Sequence, residues 1–259
     1  MSKKKSKKKS GAQQAGRAGA GKSPRRRSAG GAEKARPVPQ SDIQVRKELY
    51  FPTHIYFCDL PNADALNKSL VQAIYELRGA DPEGIVRSNV KRIGAWHSAT
   101  DLNRREEFRN FTGLLDAVVS RIYQDLGYEP GTRAVCDNMW ANVNPRHGYN
   151  RFHTHPNVLW SGVYYVQAPA HSGRIYFRDP REQAHAVTPR LRADQDRIRE
   201  LWSEVYYEPI AGRVILFPAW LGHEVEPNLT TEEGAAGDRI SISFNYVQRA
   251  VQASVNTSP

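Results

Sequence analysis

Cysteine is almost absent from this chain of 259 residues: Cys58 and Cys136 are the only two, with no CxxC pair and no evenly spaced framework. A disulfide-stapled fold and a cysteine metal cluster are therefore excluded, and a reducing, cytoplasmic compartment is expected. No apolar run approaches a membrane span and no apolar segment follows the N-terminal lysines, so neither a transmembrane helix nor a secretory signal is expected. No internal repeat is visible. Acidic residues are scarce in one stretch above all, since residues 1–40 hold 13 of the 37 Lys and Arg but one of the 27 Asp and Glu. That leaves about +12 on the stretch and −2 on the rest of a chain whose formal net charge is +10.

Residues 1–40 also lack large apolar side chains, so they cannot bury enough surface to offset the entropy of ordering and read as a disordered basic tail. Two lysine clusters and an arginine triplet there can contact polyanions such as nucleic acid weakly and in a salt-dependent way, or serve only as a solubilising arm. The near-neutral body lacks interleaved basic and aromatic residues, which argues against a nucleic-acid-binding module.

Beyond the tail, 48–57 reads as a strand interrupted by Pro52, hence an edge. Asp64 caps a helix whose Leu66, Leu70, Ile74 and Leu77 recur at helical spacing until Gly79 stops it. Residues 81–100 read as loop or short strand. A second helix is expected over 103–126, with Phe108, Phe111, Leu115, Val118, Val119, Ile122 and Leu126 on one stripe and Gly127 at its end. From Tyr128 onward the period changes to two. Strands are expected at 138–143, 152–155, 159–167, 173–177, 205–208, 213–217, 224–226 and 239–247, with a polar short helix or lid at 191–203. Many short strands bounded by Pro and Gly point to a sandwich or jelly roll. The division expected is a tail over 1–40, a supporting strand and helices over 41–130, a barrel over 131–250 and a flexible end over 251–259.

The chemistry concentrates in 150–166, NRFHTHPNVLWSGVYYV. His153 and His155 are two apart, so on a strand both imidazoles face one way. His223 follows the turn PAWLG, and Arg239 opens the strong strand RISISFNYV with Ser241 on its face. Two histidines on one strand, a third from a distant strand and a basic residue beyond is the layout of a mononuclear non-haem iron site that also grips a dicarboxylate. A guanidinium binds a carboxylate through two parallel bonds, and a hydroxyl two residues on adds a third. Each residue also has an ordinary reading: a lone histidine is more often structural, and Arg239 could pair with Asp238 or Glu226 at a strand start. His54, His97, His147, His171 and His185 have no partner spacing. Asp179, before Pro180, reads as a turn residue, and Glu224 alternates away from His223. Asn142 and Tyr165 can orient a ligand or simply belong to the core.

The blocks H-x-H-P, SGVYYV, SG-x-I-x-F-x-DPR, FP-x-W-L-x-H-x-V-x-PN and RISISFN, running in order from Trp140 to Val247, resemble the Fe(II)/2-oxoglutarate-dependent oxygenases of the double-stranded β-helix superfamily. The resemblance implies a mainly β (α+β) chain: a double-stranded β-helix, or cupin-like jelly-roll barrel, with N-terminal helices packed on it. It implies Fe(II) on His153, His155 and His223, 2-oxoglutarate on Arg239 and Ser241 with Tyr165 and Asn142 nearby, and dioxygen as co-substrate. The superfamily's usual triad has a carboxylate where His155 stands. Either three imidazoles hold the metal or one is replaced by Asp179. The alternative is a cupin-like three-histidine metal protein that does not use 2-oxoglutarate.

Overall fold

The computed structural model describes residue 40 and residues 43–88, 90–187 and 189–251. The basic tail over 1–39 and the end beyond Val251 lie outside the described residues. The chain divides after Tyr50; residues 43–50 carry neither helix nor strand, and every element below belongs to the unit from Phe51 onward. Its strands are β1 (Tyr56–Asp59), β2 (Trp96–His97), β3 (Thr132–Asn144), β4 (Asn150–His153), β5 (Trp160–Gln167), β6 (Ile175–Arg178), β7 (Glu204–Tyr207), β8 (Arg213–Pro218), β9 (His223–Val225) and β10 (Arg239–Ala250). Its helices are α1 (Ala63–Ala80), α2 (Gly84–Arg87) and α3 (Arg109–Asp125). Among the described residues no helix is long and apolar enough to cross a membrane.

Two antiparallel sheets carry the architecture, a large one in the order β1-β8-β5-β10-β3-β2 and a small one in the order β4-β9-β6-β7. This is the expected double-stranded β-helix. Alternation along the strands explains why it has two different faces. On β10, Ile240, Ile242, Phe244 and Tyr246 are fully buried in a core shared with Leu70 and Ile74 of α1 and Phe111, Leu115 and Val119 of α3. Arg239, Ser241, Ser243 and Asn245 take the opposite face. The same split runs through β3, where Met139, Ala141 and Val143 join the helix-side core and Asn138, Trp140 and Asn142 face inward. Each fully buried Ile or Phe contributes about 1.5–3 kcal/mol, so the helix side holds the sheet and leaves the other face free for polar residues. A smaller cluster of Val163, Tyr165, Ile175, Phe177, Ile215, Phe217 and Leu221 joins the two sheets.

Several boundaries differ from expectation. β1 begins at Tyr56, well after Pro52, and it does sit at a sheet edge. α1 starts without a side-chain cap from Asp64; Asn62 precedes it in a left-handed conformation, φ 53°. Gly79 lies inside α1, because Arg78 anchors the last turn with bonds to Asp238 at 3.1 Å and to the Gly94 carbonyl at 3.3 Å. The second helix is two 3₁₀ turns, Leu102–Arg104 and Glu106–Phe108, followed by α3. Gly127 ends it as expected: with φ 65°, its N–H donates to Gln124 O at 3.1 Å and that of Tyr128 donates to Tyr123 O at 3.1 Å, a Schellman closure. Residues 191–203 hold no α-helix, only an exposed 3₁₀ turn at Arg199–Leu201.

A side chain at Gly162 of β5 would run into the Phe244 ring. Gly162→Val should therefore lower folding stability by about 1–3 kcal/mol in urea titration, the cost of overpacking. Gly113 in α3 faces open space, and Gly113→Ala should raise stability by about 0.5–1 kcal/mol in the same assay.

Candidate metal centre

The register of the small sheet brings the histidines together. His223 opens β9 and lies directly opposite His153, the last residue of β4, and opposed residues stand only about 5 Å apart at Cβ. Their rings are 4.3 Å apart between centroids. His155 is past the end of β4 rather than in it; its backbone N–H donates to Ala219 O at 2.9 Å, not to a strand partner. Its ring still lies 5.0 Å from that of His153 and 5.2 Å from that of His223, nearly parallel to the latter at 6°. One ring nitrogen from each of the three can be chosen so that all lie within 4.8 Å of one another, a group able to hold a metal ion.

Tautomers follow from hydrogen bonds. Nδ1 of His153 is 2.7 Å from Arg151 O and Nδ1 of His223 is 3.0 Å from Leu221 O. A carbonyl only accepts, so both Nδ1 atoms carry the proton and leave Nε2 as a free lone pair. Burial, aided by the His153 ring, pushes the His223 imidazole down to about 3 and that of His155 to about 4. Neutral imidazole is the ligating form.

Among the described residues no carboxylate joins this cluster. Asp179 accepts from Arg181 at 2.9 and 2.7 Å and is not part of the cavity wall. Glu224 accepts from Arg178 at 2.8 Å on the outer side, as alternation requires.

The imidazoles line a cavity of about 400 Å³ between the sheets. Ser241 pairs across the large sheet with Asn142 on one side and Tyr165 on the other, so these three form one row of its wall. Arg239 is two residues away on the same face and 1% exposed. Its guanidinium donates from Nη1 to Glu226 O at 3.0 Å and to Ser172 O, and from Nη2 to Gly148 O at 3.3 Å. The acids that might have paired with it are engaged elsewhere: Asp238 with Arg78 at 3.1 Å and Tyr75 at 2.8 Å, Glu226 with Arg174 at 2.9 Å. Burial lowers Arg239 to about 10, which keeps it charged at neutral pH. The Tyr165 hydroxyl, also buried, has no hydrogen-bond partner among the described residues. An unpartnered buried hydroxyl costs about 1–3 kcal/mol, and beside a buried cation it marks an anion site. The donor set thus fits a metal ion together with a carboxylate ligand.

His97, which has no partner spacing in the sequence, nevertheless lines the cavity wall. The two-residue β2 pairs it with Asn142, and its ring stacks on Trp140 at 5.6 Å, which in turn lies 5.9 Å from His155. Its one sequence signal is a Trp-His pair in a stretch read as loop or short strand. His54, His147, His171 and His185 stay outside the cavity wall, as expected.

Residues 138–245 match the model of a family described as "Putative 2OG-Fe(II) oxygenase". No curated protein matches the chain. Among solved structures, a prolyl-4-hydroxylase from Pseudomonas putida is similar with TM-score 0.48 and 20% identity, over 75% of this chain and 93% of that one. HygX from Streptomyces hygroscopicus, solved with nickel and 2-oxoglutarate bound, is similar with TM-score 0.49 and 13% identity, over 75% of this chain and 82% of that one.

Chelator-treated protein offers a test of the buried imidazoles. Unfolded histidines titrate near 6.5, whereas His155 and His223 titrate near 4 and 3, so below about pH 6.5 the unfolded state binds more protons. Their contribution to stability is complete above that value and is lost as pH falls toward 4. Thermal midpoints between pH 7.5 and 4.5 should fall, and fall less steeply in His155→Gln; equal slopes would show that burial does not hold this ring neutral.

Proposed function

We propose that this chain, whose residues 138–245 match the 2OG-Fe(II) oxygenase family model, is an Fe(II)- and 2-oxoglutarate-dependent dioxygenase that hydroxylates its substrate. His153, His155 and His223 hold the iron. Arg239, with Ser241 and Tyr165, takes the distal carboxylate of 2-oxoglutarate, and Asn142 in the same row orients cosubstrate or substrate. When bound there, iron supplies dioxygen activation coupled to decarboxylation of 2-oxoglutarate to succinate and carbon dioxide, ending in oxidation of a substrate C–H bond.

One observation carries the reading: Arg239 is a buried cation held, among the described residues, only by carbonyls. A guanidinium has five N–H groups. Three are engaged, which leaves one on Nε and one on Nη2, the side-by-side pair a carboxylate accepts. A metal protein without a dicarboxylate has no use for that fork. Ser241 adds a hydroxyl and Tyr165 a second, currently without a partner. Three imidazoles bring no negative charge, so the dianionic cosubstrate balances the metal. Scarce cysteine supports a reducing, cytoplasmic setting, and the charge of residues 1–40 supports salt-dependent contact with polyanions.

Arg239→Lys keeps the charge and removes the fork. In anaerobic titration followed by the visible charge-transfer band, it should weaken 2-oxoglutarate binding by about 1.5–3 kcal/mol, the range for bonds to charged groups, and leave Fe(II) affinity unchanged. Unchanged cosubstrate affinity would favour a three-histidine metal protein that does not use 2-oxoglutarate. His153→Ala and His223→Ala should each lose stoichiometric Fe(II), while His155→Asp should retain it, since that position accepts the superfamily's usual carboxylate.

A further inference from the structure

The cavity continues past the histidines to an end that neither metal nor cosubstrate occupies in the reading above. Along β10 the inward side chains run Arg239, Ser241, Ser243, Asn245. The last two pair across the sheet with Trp140 and Val163, and with Asn138 and Ser161. At about 3.4 Å per residue, Asn245 lies on the order of 20 Å along the strand from Arg239.

This end is polar and uncharged. Among the described residues no Asp or Glu lines the cavity. Arg87 at its edge is paired with Asp81 and donates Nε–H to His97 O at 3.2 Å. Burial lowers the His97 imidazole below its ordinary value, which keeps it neutral. Part of the polar wall is already committed: Ser161 donates to Asn245 Oδ1 at 2.7 Å, and Asn245 Nδ2 donates to Asn138 Oδ1 at 2.8 Å.

Among the groups left uncommitted, three form a pattern. Ser243 Oγ accepts from Asn142 Nδ2 at 3.3 Å, so its own hydrogen is free to donate, and Asn142 Oδ1 has no donor among the described residues. The Trp140 indole N–H is likewise without an acceptor among them, and its ring rests on His97 at 14°. A carboxylate could satisfy the two donors but would face Asn142 Oδ1 as a second acceptor. An ammonium could satisfy Asn142 and leave the donors empty, and the buried Arg239 disfavours it. Sugar hydroxyls are best held by acidic acceptors, and none is present. A planar amide offers both functions in one plane beside a flat ring.

We propose that this end of the cavity binds an uncharged amide of the substrate, its carbonyl accepting from Ser243 Oγ and Trp140 Nε1 and its N–H donating to Asn142 Oδ1. The inference rests on the oxygenase reading to place the carbon beside that amide at the histidines. The amide belongs either to a side-chain carboxamide or to a peptide bond.

The test is saturation-transfer NMR on Zn(II)-loaded protein with 2-oxoglutarate, using propionamide, N-acetylglycine N-methylamide, propionate, propylammonium and glucose as probes. An amide should bind at least tenfold more tightly than the last three; propionamide alone would indicate a carboxamide, and the N-methylamide a peptide bond. Ser243→Ala should weaken the amide about tenfold, and Ser243→Asp should turn the preference to propylammonium. Preference of the native protein for propionate, propylammonium or glucose, or absence of any amide signal while 2-oxoglutarate still binds, overturns the subsite alone. Failure of 2-oxoglutarate to bind overturns the oxygenase reading with it. Should either variant misfold, the probe ranking on the native protein still decides.

Discussion

A buried guanidinium left without hydrogen-bond acceptors destabilises the fold by several kcal/mol, and the way Arg239 finds three of them shapes one end of the barrel. Its acceptors come from three separate connections: Gly148 between β3 and β4, Ser172 between β5 and β6, and Glu226 just past β9. Each connection must come close. A side chain at Gly148 would stand 2.8 Å from Asn144 Cβ, and one at Gly173, where φ is +94°, would stand 2.7 Å from Arg239 Nη1. Asn228, fully buried, closes the same end by donating to Asn144 O at 3.0 Å and Gly237 O at 2.8 Å. The cation is thereby fixed in place by neutral dipoles, so its free N–H edge needs little reorganisation to take an anion.

The large sheet separates stability from chemistry along single strands. Outward residues of β3, β5, β8 and β10 meet α1 and α3, where volume and apolar character decide their energetics. Inward residues of β3 and β10 are Ser, Asn, Trp and Arg, joined by Tyr165 of β5 and by the apolar Val163 and Phe217, and the hydrogen-bonding pattern of the polar ones decides what the cavity can hold. Because the two sets alternate, a one-residue slip would exchange them, which makes the register itself a functional constraint.

Much of this was legible in the sequence because period-two alternation and a histidine pair are local signals. Alternation revealed β3, β5, β8 and β10, and the spacing of His153 and His155 with Arg239 and Ser241 picked out residues that line one cavity. What was not legible depends on distant partners. His155 leaves the strand because its N–H goes to Ala219 O, an acceptor 64 positions later. Gly79 stays helical because Arg78 is anchored by Asp238 across the fold. His97 enters the wall because Trp96 and His97 pair with Val143 and Asn142; two residues carry no periodicity. The ordinary reading of Arg239 as half of an ion pair failed for a related reason: Asp238 and Glu226 are claimed by Arg78 and Arg174, neither of which can be inferred from spacing.

The charges in the cavity tie these features together. Burial keeps two of the three imidazoles neutral, no acid stands among them, and the buried charge on the wall is the cation of Arg239. A dication brought alone into such a site meets no counter-charge from the protein, and a dianion brought alone is balanced only in part by one guanidinium. Brought together, each supplies what the other lacks, in a low-dielectric space where that attraction is far stronger than in water. A metal and a dicarboxylate bound here would therefore be coupled ligands, and by reciprocity whatever factor one adds to the affinity of the other is returned in equal measure. With no carboxylate beside the three imidazoles among the described residues, that coupling would fall, in the function proposed above, on the dicarboxylate and on the arginine that binds it.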